Sequence, residues 1–402
     1  MTDPARRLLF VDDDGNVLSG LRRMLRGMRQ DWDMVFASGG EDAIELLRSR
    51  DFDVLITDMR MPGVDGLELL RTARAEWPSV VRIVLSGHTE ASTAIRSMPL
   101  AHRFLSKPCD PEVLIETVRR TCELEDRLHS DRLRRILGRV DSLPSAPQAT
   151  VALNRLLDQE EVAIDDVADV IATDPAMAAK LLQLVNSAFF GLARQVTTVR
   201  QAVAYLGINV VRNLAAALGA MGAFDESNAA DRSFLEAHHV HSHAVAAIAA
   251  DLVPPPLAAE TFGVALLHDI GLLVIAQCMP DELVVIEDAV TRGTPRTAAE
   301  HEVIGASHAE IGAYLLALWG LPYTIIEATS HHHDQPPGPT PAVPDALHAT
   351  FIAEALVCEG SRATGSWTED LTDLDPEYLR SVGVDPGVDR LLEAAQKTGT
   401  SS

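Results

Sequence analysis

Short apolar runs alternate with amphipathic stretches over the first quarter of the chain. LLFV (Leu8–Val11), MVFA (Met34–Ala37), VLIT (Val54–Thr57), VRIVLS (Val81–Ser86) and RFLS (Arg103–Ser106) have the length of buried strands. Between them, segments such as Val17–Met28 and Gly40–Arg50 place apolar residues at helical spacing. This alternation predicts an α/β doubly wound domain, five parallel strands with helices on both faces. In such a sheet the chemistry collects at the carboxyl ends of the strands.

The pattern then changes. From Pro111 to about Val140 the chain is charged and helical in spacing, with too weak a heptad for a coiled coil. DSLPSAP (Asp141–Pro147) breaks the helix and marks a domain boundary. Beyond Pro147 strand signals give way to a run of helices, which predicts an all-α domain. One helix starts at Asp174-Pro175, carries Leu181, Leu182, Val185 and Phe189 on one face, and stops at Gly191. Pro336–Pro344 (PPGPTPAVP) reads as a loop. The divisions are therefore 5–125, a helical linker 126–142, a helical domain 143–340, and an extension 341–402. That extension has eleven acidic and four basic residues. One helix is expected in it, Ala346–Glu359, and disorder from Lys397.

Composition narrows the function classes. Hydrophobic residues make up 47% and charged residues 23%, as in a soluble globular chain. No run of about 18 apolar residues signals a membrane span, and the N-terminus lacks the apolar core of a secretory signal. The net charge of −24 opposes non-specific binding to nucleic acid or anionic lipid. Neither DNA nor a membrane is thus an expected partner. The four cysteines (Cys109, Cys122, Cys278, Cys358) are scattered, which fits a reducing cytoplasm.

Two constellations carry chemistry. In the first, Asp12, Asp13 and Asp14 follow the first strand and Asp58 the third. Ser86 ends the fourth, and Lys107-Pro108 follows the fifth. A parallel sheet brings these strand ends together. Clustered carboxylates need a cation, and hard oxygen ligands favour Mg²⁺. The set suits phosphoryl transfer to a carboxylate, with Asp58 as nucleophile and Lys107 neutralising charge on the phosphoryl group. Asp13 and Asp58 would ligate the metal with the Arg60 backbone carbonyl, and Asp12 would act through a water. Ser86 would turn toward a phosphoryl oxygen, and Lys107–Pro108 is a candidate cis peptide.

FVDDD, ITDMRMPGVDG, VLSGH and FLSKP resemble the receiver domain of two-component response regulators, over about residues 5–125. The resemblance implies a flavodoxin-like fold, Mg²⁺, and phosphorylation of Asp58 by a sensor histidine kinase. It also implies a switch coupling Ser86 to an aromatic on the fifth strand, here Phe104, which is equally readable as a core residue.

In the second constellation, 11 of 14 histidines lie after residue 230. His241 sits in HHVHSHAVA, His268-Asp269 in ALLHDIG, His308 in SHAEIGAY, and His332 and His333 in SHHHDQP. Imidazoles and carboxylates from several helices make a transition-metal site, and an Asp beside a His can bridge two ions. His268-Asp269 reads equally as a helix cap and core polar pair. His238, His239, His243, His301, His331 and His348 read as surface or hydrogen-bonded residues.

LPSAP (Leu143–Pro147), DPAMAAKLLQLVNSAFFG (Asp174–Gly191), AVAYLG (Ala202–Gly207), LLHDIG (Leu266–Gly271) and WGLP (Trp319–Pro322) resemble the HDOD domain, a relative of the HD phosphohydrolases. Many HDOD domains are non-catalytic signalling modules. Here His241, His268, Asp269, His308, His332 and His333 fall on ligand positions of the catalytic HD-GYP relatives, and Glu354 stands where those use an Asp. The resemblance thereby implies Fe, Mn or Zn. Two HD-GYP features are absent: Ala237 replaces a Glu four residues before the first His, and no GYP follows the double histidine.

Two functions follow as expectations. One is a phosphorylation-switched regulator whose HDOD domain contacts a protein or a small ligand. Its helix Pro111–Val140 would pass on the change by homodimerisation or by release of the HDOD domain. The other is a metal-dependent phosphodiesterase acting on a cyclic dinucleotide. A DNA-binding regulator lacks a basic recognition helix.

Overall fold

The computed structural model describes residues 6–384 apart from 88–96, 98–99, 128–129, 141–142, 146, 160–161, 188–189, 191, 193, 222–228, 338–339 and 365–373. Two compact units are present; the first comprises Met1–Asp141 with Leu184–Arg194 and Ala317–Gly320.

The first unit holds five parallel strands: β1 (Arg6–Val11), β2 (Trp32–Ala37), β3 (Val54–Thr57), β4 (Val81–Ser86) and β5 (Arg103–Ser106). Their order is β2-β1-β3-β4-β5. Leu8, Leu9 and Phe10 on β1 are all fully buried, so both faces of the sheet are covered, as an all-parallel sheet requires. The register pairs Val11 with Thr57, which puts the residues after β1 and β3 side by side.

Helices α1 (Gly15–Met24), α2 (Gly40–Ser49) and α3 (Gly66–Glu76) follow β1, β2 and β3. α1 is shorter than its periodicity suggests and gives way to a 3₁₀ turn at Arg26–Met28. Asp14 caps α1 by accepting from Asn16 N–H, and Asp65 caps α3 by accepting from Glu68 N–H. A Cβ on Gly66 would lie 2.2 Å from the Asp58 carbonyl oxygen. Only glycine lets the start of α3 approach the Asp58 backbone this closely.

The charged stretch after β5 is two helices, α4 (Pro111–Arg127) and α5 (Asp131–Leu137), with Ser130 capping the second. The sequence assigns 126–142 to a linker, but α5 packs within the first unit. Leu133 and Leu137 are buried, and a Cβ on Gly138 would lie 1.8 Å from the Pro78 carbonyl oxygen. Arg82 of β4, 1% exposed, donates to Leu100 O and Gly138 O, both at 2.6 Å, and to Val80 O at 3.1 Å. One buried guanidinium thus ties β4, the approach to β5 and the end of α5 together.

The second unit is helical throughout its described residues. α6 (Pro147–Leu157), α7 (Ile164–Ile171), α8 (Pro175–Val185), α9 (Val199–Leu206) and α10 (Ile208–Met221) come first. Asp174 caps α8 as its DP sequence predicts, with Oδ1 accepting from Met177 N–H at 2.9 Å. Phe189 and Gly191 lie outside the described residues. α11 (Ala229–Asp251), α12 (Pro255–Ala265), α13 (Ile270–Cys278), α14 (Pro280–Thr291), α15 (Arg296–Val303), α16 (His308–Leu318) and α17 (Tyr323–His331) follow. An 18-residue window within Pro255–Cys278 has a mean hydropathy of 1.7, high enough for a membrane span by composition, where the sequence reading found no such run. Of that window 78% is buried inside the fold, as in the core of a helical unit. Leu266, Leu267, Trp319 and Leu321 are buried.

The extension from residue 341 is not an appendage. α18 runs longer than expected, Ala346–Thr364, and α19 (Pro376–Ser381) follows. Phe351, Ile352, Ala353 and Glu354 are at most 2% exposed, so α18 belongs to the helical core. Acidic composition hid this, because the acidic residues crowd the segments flanking the apolar face of α18. The stretch from Lys397 lies outside the described residues.

Candidate functional site

The sheet brings the first constellation together. Lys107 follows β5, and its Nζ lies 2.5 Å from Asp12 Oδ2 and in contact with Asp58 Oδ1. The Asp12 and Asp58 side chains are 4% and 13% exposed. Arg60 N–H donates to Asp58 Oδ2 at 2.7 Å, and Asp14 N–H donates to Asp12 Oδ1 at 3.0 Å. Asp13 is exposed beside them. Burial pushes the Lys107 amine down, but the Asp12 and Asp58 carboxylates outweigh it and hold its pKa above the ordinary value. The ammonium therefore stays charged at any physiological pH.

The Lys107–Pro108 bond is cis. Ser86 ends β4 as expected, but its side chain lies outside what is described, as does most of the segment Ala91–His102. Phe104 points into the core at 8% exposure.

The second constellation also converges. Asp269 Oδ1 lies 3.2 Å from His308 Nε2 and 3.2 Å from His332 Nε2, while Oδ2 lies 3.4 Å from His241 Nε2 and 3.4 Å from His268 Nε2. Glu354 Oε2 is 3.0 Å from both His241 Nε2 and His268 Nε2. His333 Nε2 sits 2.8 Å from His308 Nε2. All seven residues named from the sequence meet in one place, supplied by α11, the α12–α13 junction, α16, the end of α17 and α18.

A close helix crossing builds the junction. A Cβ on Gly271 would lie 1.9 Å from the His308 carbonyl oxygen and 2.9 Å from Gly312 N. The glycine in HDIG thus lets the start of α13 touch the start of α16, and that contact sets Asp269 against His308. Asp269 occupies the N-cap position of α13 but makes no capping hydrogen bond. Both its carboxylate oxygens and His268 Nε2 are buried without a hydrogen bond, although ring nitrogens stand within ion-pair distance. The helix-cap reading of His268-Asp269 therefore fails.

The ring protons explain why. His268 Nδ1 faces Ala265 O at 2.6 Å, His332 Nδ1 faces Thr329 O at 2.8 Å, and His308 Nδ1 faces Glu300 Oε2 at 2.7 Å. An Nδ1 that faces an oxygen carries the proton, which leaves a lone pair on Nε2 in the neutral ring. Lone pairs and carboxylate oxygens converging in a buried space repel one another unless a cation lies among them. Two groups of ligand atoms, each within 4.8 Å, share Asp269: His241 and His268 with Asp269, and His308, His332 and His333 with Asp269. Imidazole-rich donors with a shared carboxylate fit a pair of borderline transition ions. Among the described residues, ligand groups of this kind occur only here.

Without a cation, protons take the load. Burial pushes His308 and His268 down, yet neighbouring carboxylates hold both well above the usual imidazole value. Burial pushes His333 well down, with His332 and His308 adding to it. Burial raises Asp269 and Glu354, but the imidazoles outweigh it and hold both well below the usual carboxylate range.

Sequence reading missed two groups. Glu300 on α15 is fully buried and bonded to His308. Cys358 donates to Glu354 Oε1 at 3.0 Å. Cys358 carries the helical spacing of α18, but Glu300 has no signal in the sequence. His238, read as a surface or hydrogen-bonded residue, is hydrogen-bonded and fully buried, with Nε2 3.0 Å from Asp269 O.

Comparison with known proteins agrees with both halves. Residues 8–119 match the response regulator receiver domain, and residues 143–335 match the HDOD domain. Similar proteins include a crystal structure of the MmoQ response regulator from Methylococcus capsulatus. It is 25% identical, covering 62% of this chain and 98% of that one, with a TM-score of 0.51. An uncharacterized protein of Treponema pallidum is 27% identical over 205 residues, 51% of this chain and 40% of that protein. Response regulator UvrY of Escherichia coli is 35% identical over 113 residues, 28% of this chain and 52% of UvrY. The chain thus spans about half or less of the length of these curated relatives. It is a response regulator with an N-terminal receiver domain and a C-terminal HDOD domain.

Proposed function

We propose that Asp58 accepts a phosphoryl group from a sensor histidine kinase in the cytoplasm, and that the HDOD domain is the output that responds. The observation that carries this is the Lys107 ammonium held between the Asp12 and Asp58 carboxylates. Asp58 Oδ1 attacks phosphorus and the donor's leaving group departs. Lys107 then turns from the carboxylate to the new phosphoryl oxygens. Asp12, Asp13, Asp58 and the Arg60 carbonyl would hold Mg²⁺, an ion whose charge neutralises the phosphoryl oxygens. The aspartyl phosphate carries about −1.5 to −2 charges in place of the carboxylate's one, a net gain of about half to one negative charge at the strand ends. Ser86 and Phe104 are the residues through which it would be read. Mass spectrometry of the full chain with acetyl phosphate and Mg²⁺ tests this. A single phosphoryl adduct on Asp58, absent from Asp58→Ala, is expected; an unaltered mass, or an adduct elsewhere, refutes it.

The output in this reading is contact with a protein partner or small ligand, or a change of homodimerisation, without DNA. The histidine cluster favours a second reading, in which the HDOD domain holds Fe, Mn or Zn and hydrolyses a cyclic dinucleotide. Six of the seven ligands are at most 5% exposed, which supports metal binding and disfavours a bulky substrate. Metal analysis of the purified chain, followed by hydrolysis assays, separates the two readings.

A further inference from the structure

We propose that Glu300 is a positioning residue for metal binding at the histidine cluster, acting through its negative charge on His308. The inference rests on the metal-binding part of the second reading.

Glu300 lies on α15 and has no solvent exposure. Its carboxylate bonds only to His308 among the described residues. Oε2 accepts from the His308 backbone N–H at 2.7 Å and from ring Nδ1 at 2.7 Å, and Oε1 lies 2.9 Å from the same Nδ1. One side chain thereby fixes both the main chain and the ring of a ligand. His308 Nε2 is left facing Asp269 and His333.

A buried carboxylate is costly unless a positive group offsets it. Helix capping alone does not call for one. Ser307 and Glu310 already form a reciprocal cap at the start of α16, with Ser307 N–H donating to Glu310 Oε2 at 2.8 Å and Glu310 N–H to Ser307 Oγ at 3.2 Å. A neutral glutamine would serve the remaining His308 N–H equally well. What a carboxylate adds is a charge aligned with Nδ1–H, which makes the opposite nitrogen a stronger donor to a cation. Metal-bound imidazoles are commonly backed in this way. The backing differs along the cluster: His308 has a carboxylate on Nδ1, whereas His268 and His332 have backbone carbonyls there.

The experiment is a Co²⁺ titration of the full-length chain, followed by visible absorption and by metal content after desalting. With its oxygen in the Oε2 place, Glu300→Gln keeps the two bonds that Oε2 accepts, removes the charge and puts an amide NH2 where Oε1 faces Nδ1. The wild type is expected to bind two ions per chain. Glu300→Gln is expected to keep its helical content and bind one of the two about 10- to 100-fold more weakly, with a changed Co²⁺ spectrum. His308→Ala should weaken the same ion. Equal affinities and spectra for wild type and Glu300→Gln would overturn the role of Glu300 while leaving the metal reading intact. A wild type that binds no Co²⁺ would overturn both.

Discussion

Arg82 is the residue on which the first unit's hold over α5 depends. Its guanidinium is 1% exposed and makes two bonds at 2.6 Å and one at 3.1 Å to carbonyls of Leu100, Gly138 and Val80. Methionine has similar length and no donors, so Arg82→Met fills the space and leaves these oxygens unbonded by it. Each buried acceptor stranded this way costs about 1–3 kcal/mol. The methionine recovers part of the loss by apolar burial. With three acceptors stranded, the net loss should be about 3–5 kcal/mol, at the large end for a single substitution. That is a large part of the roughly 5–15 kcal/mol by which a domain is stable.

Because the chain has two units, a single melting temperature mixes transitions. Hydrogen exchange read by peptide is the cleaner assay. Exchange should quicken in β4 and at Gly138, Arg139 and Val140, whose N–H groups bond to Arg134, Ile136 and Leu137 carbonyls. The HDOD peptides should stay protected. Arg74→Ala is the control, since its 3.2 Å bond to Arg139 O is exposed and worth about 0.5–1 kcal/mol. Unchanged protection at 136–140 in Arg82→Met would refute the reasoning.

Other consequences follow from the same geometry. Lys107→Ala should slow acetyl-phosphate labelling of Asp58 by roughly 100-fold or more; equal labelling rates would remove Lys107 from the chemistry. Gly271→Ala forces a Cβ to within 1.9 Å of the His308 carbonyl, and should destabilise the HDOD unit in urea by at least about 1–3 kcal/mol. A wild-type midpoint would show that the helix crossing can yield. Burial, then the neighbouring Asp110, push the Cys109 thiol from 9.0 up to about 11. At pH 8 roughly 0.1% is thiolate, against roughly a tenth for an unperturbed thiol. Iodoacetamide should label Cys109 about 100-fold more slowly than an open thiol at pH 8, with the rate rising tenfold per pH unit; fast labelling at pH 8 would contradict this.

The sequence alone determined the architecture of the first unit and its pocket. Strand-length apolar runs, amphipathic spacers and acidic residues placed directly after strands leave little freedom, because parallel strands must end on one edge. It also named all seven residues of the histidine cluster, through likeness to a family and not through periodicity. Tertiary structure decided the rest. Helical spacing tells which face of α18 is buried but not what it meets, so only the fold shows that an acidic extension carries Glu354 into the core. The same holds for α5, read as linker until the buried Arg82 is seen holding its end. Glu300 reaches His308 across a turn, and a lone glutamate on a polar-looking helix signals no burial. Local pattern encodes what neighbours in sequence do together; which distant groups share a low-dielectric space is settled only when the helices cross, as Gly271 and Gly312 let α13 and α16 do.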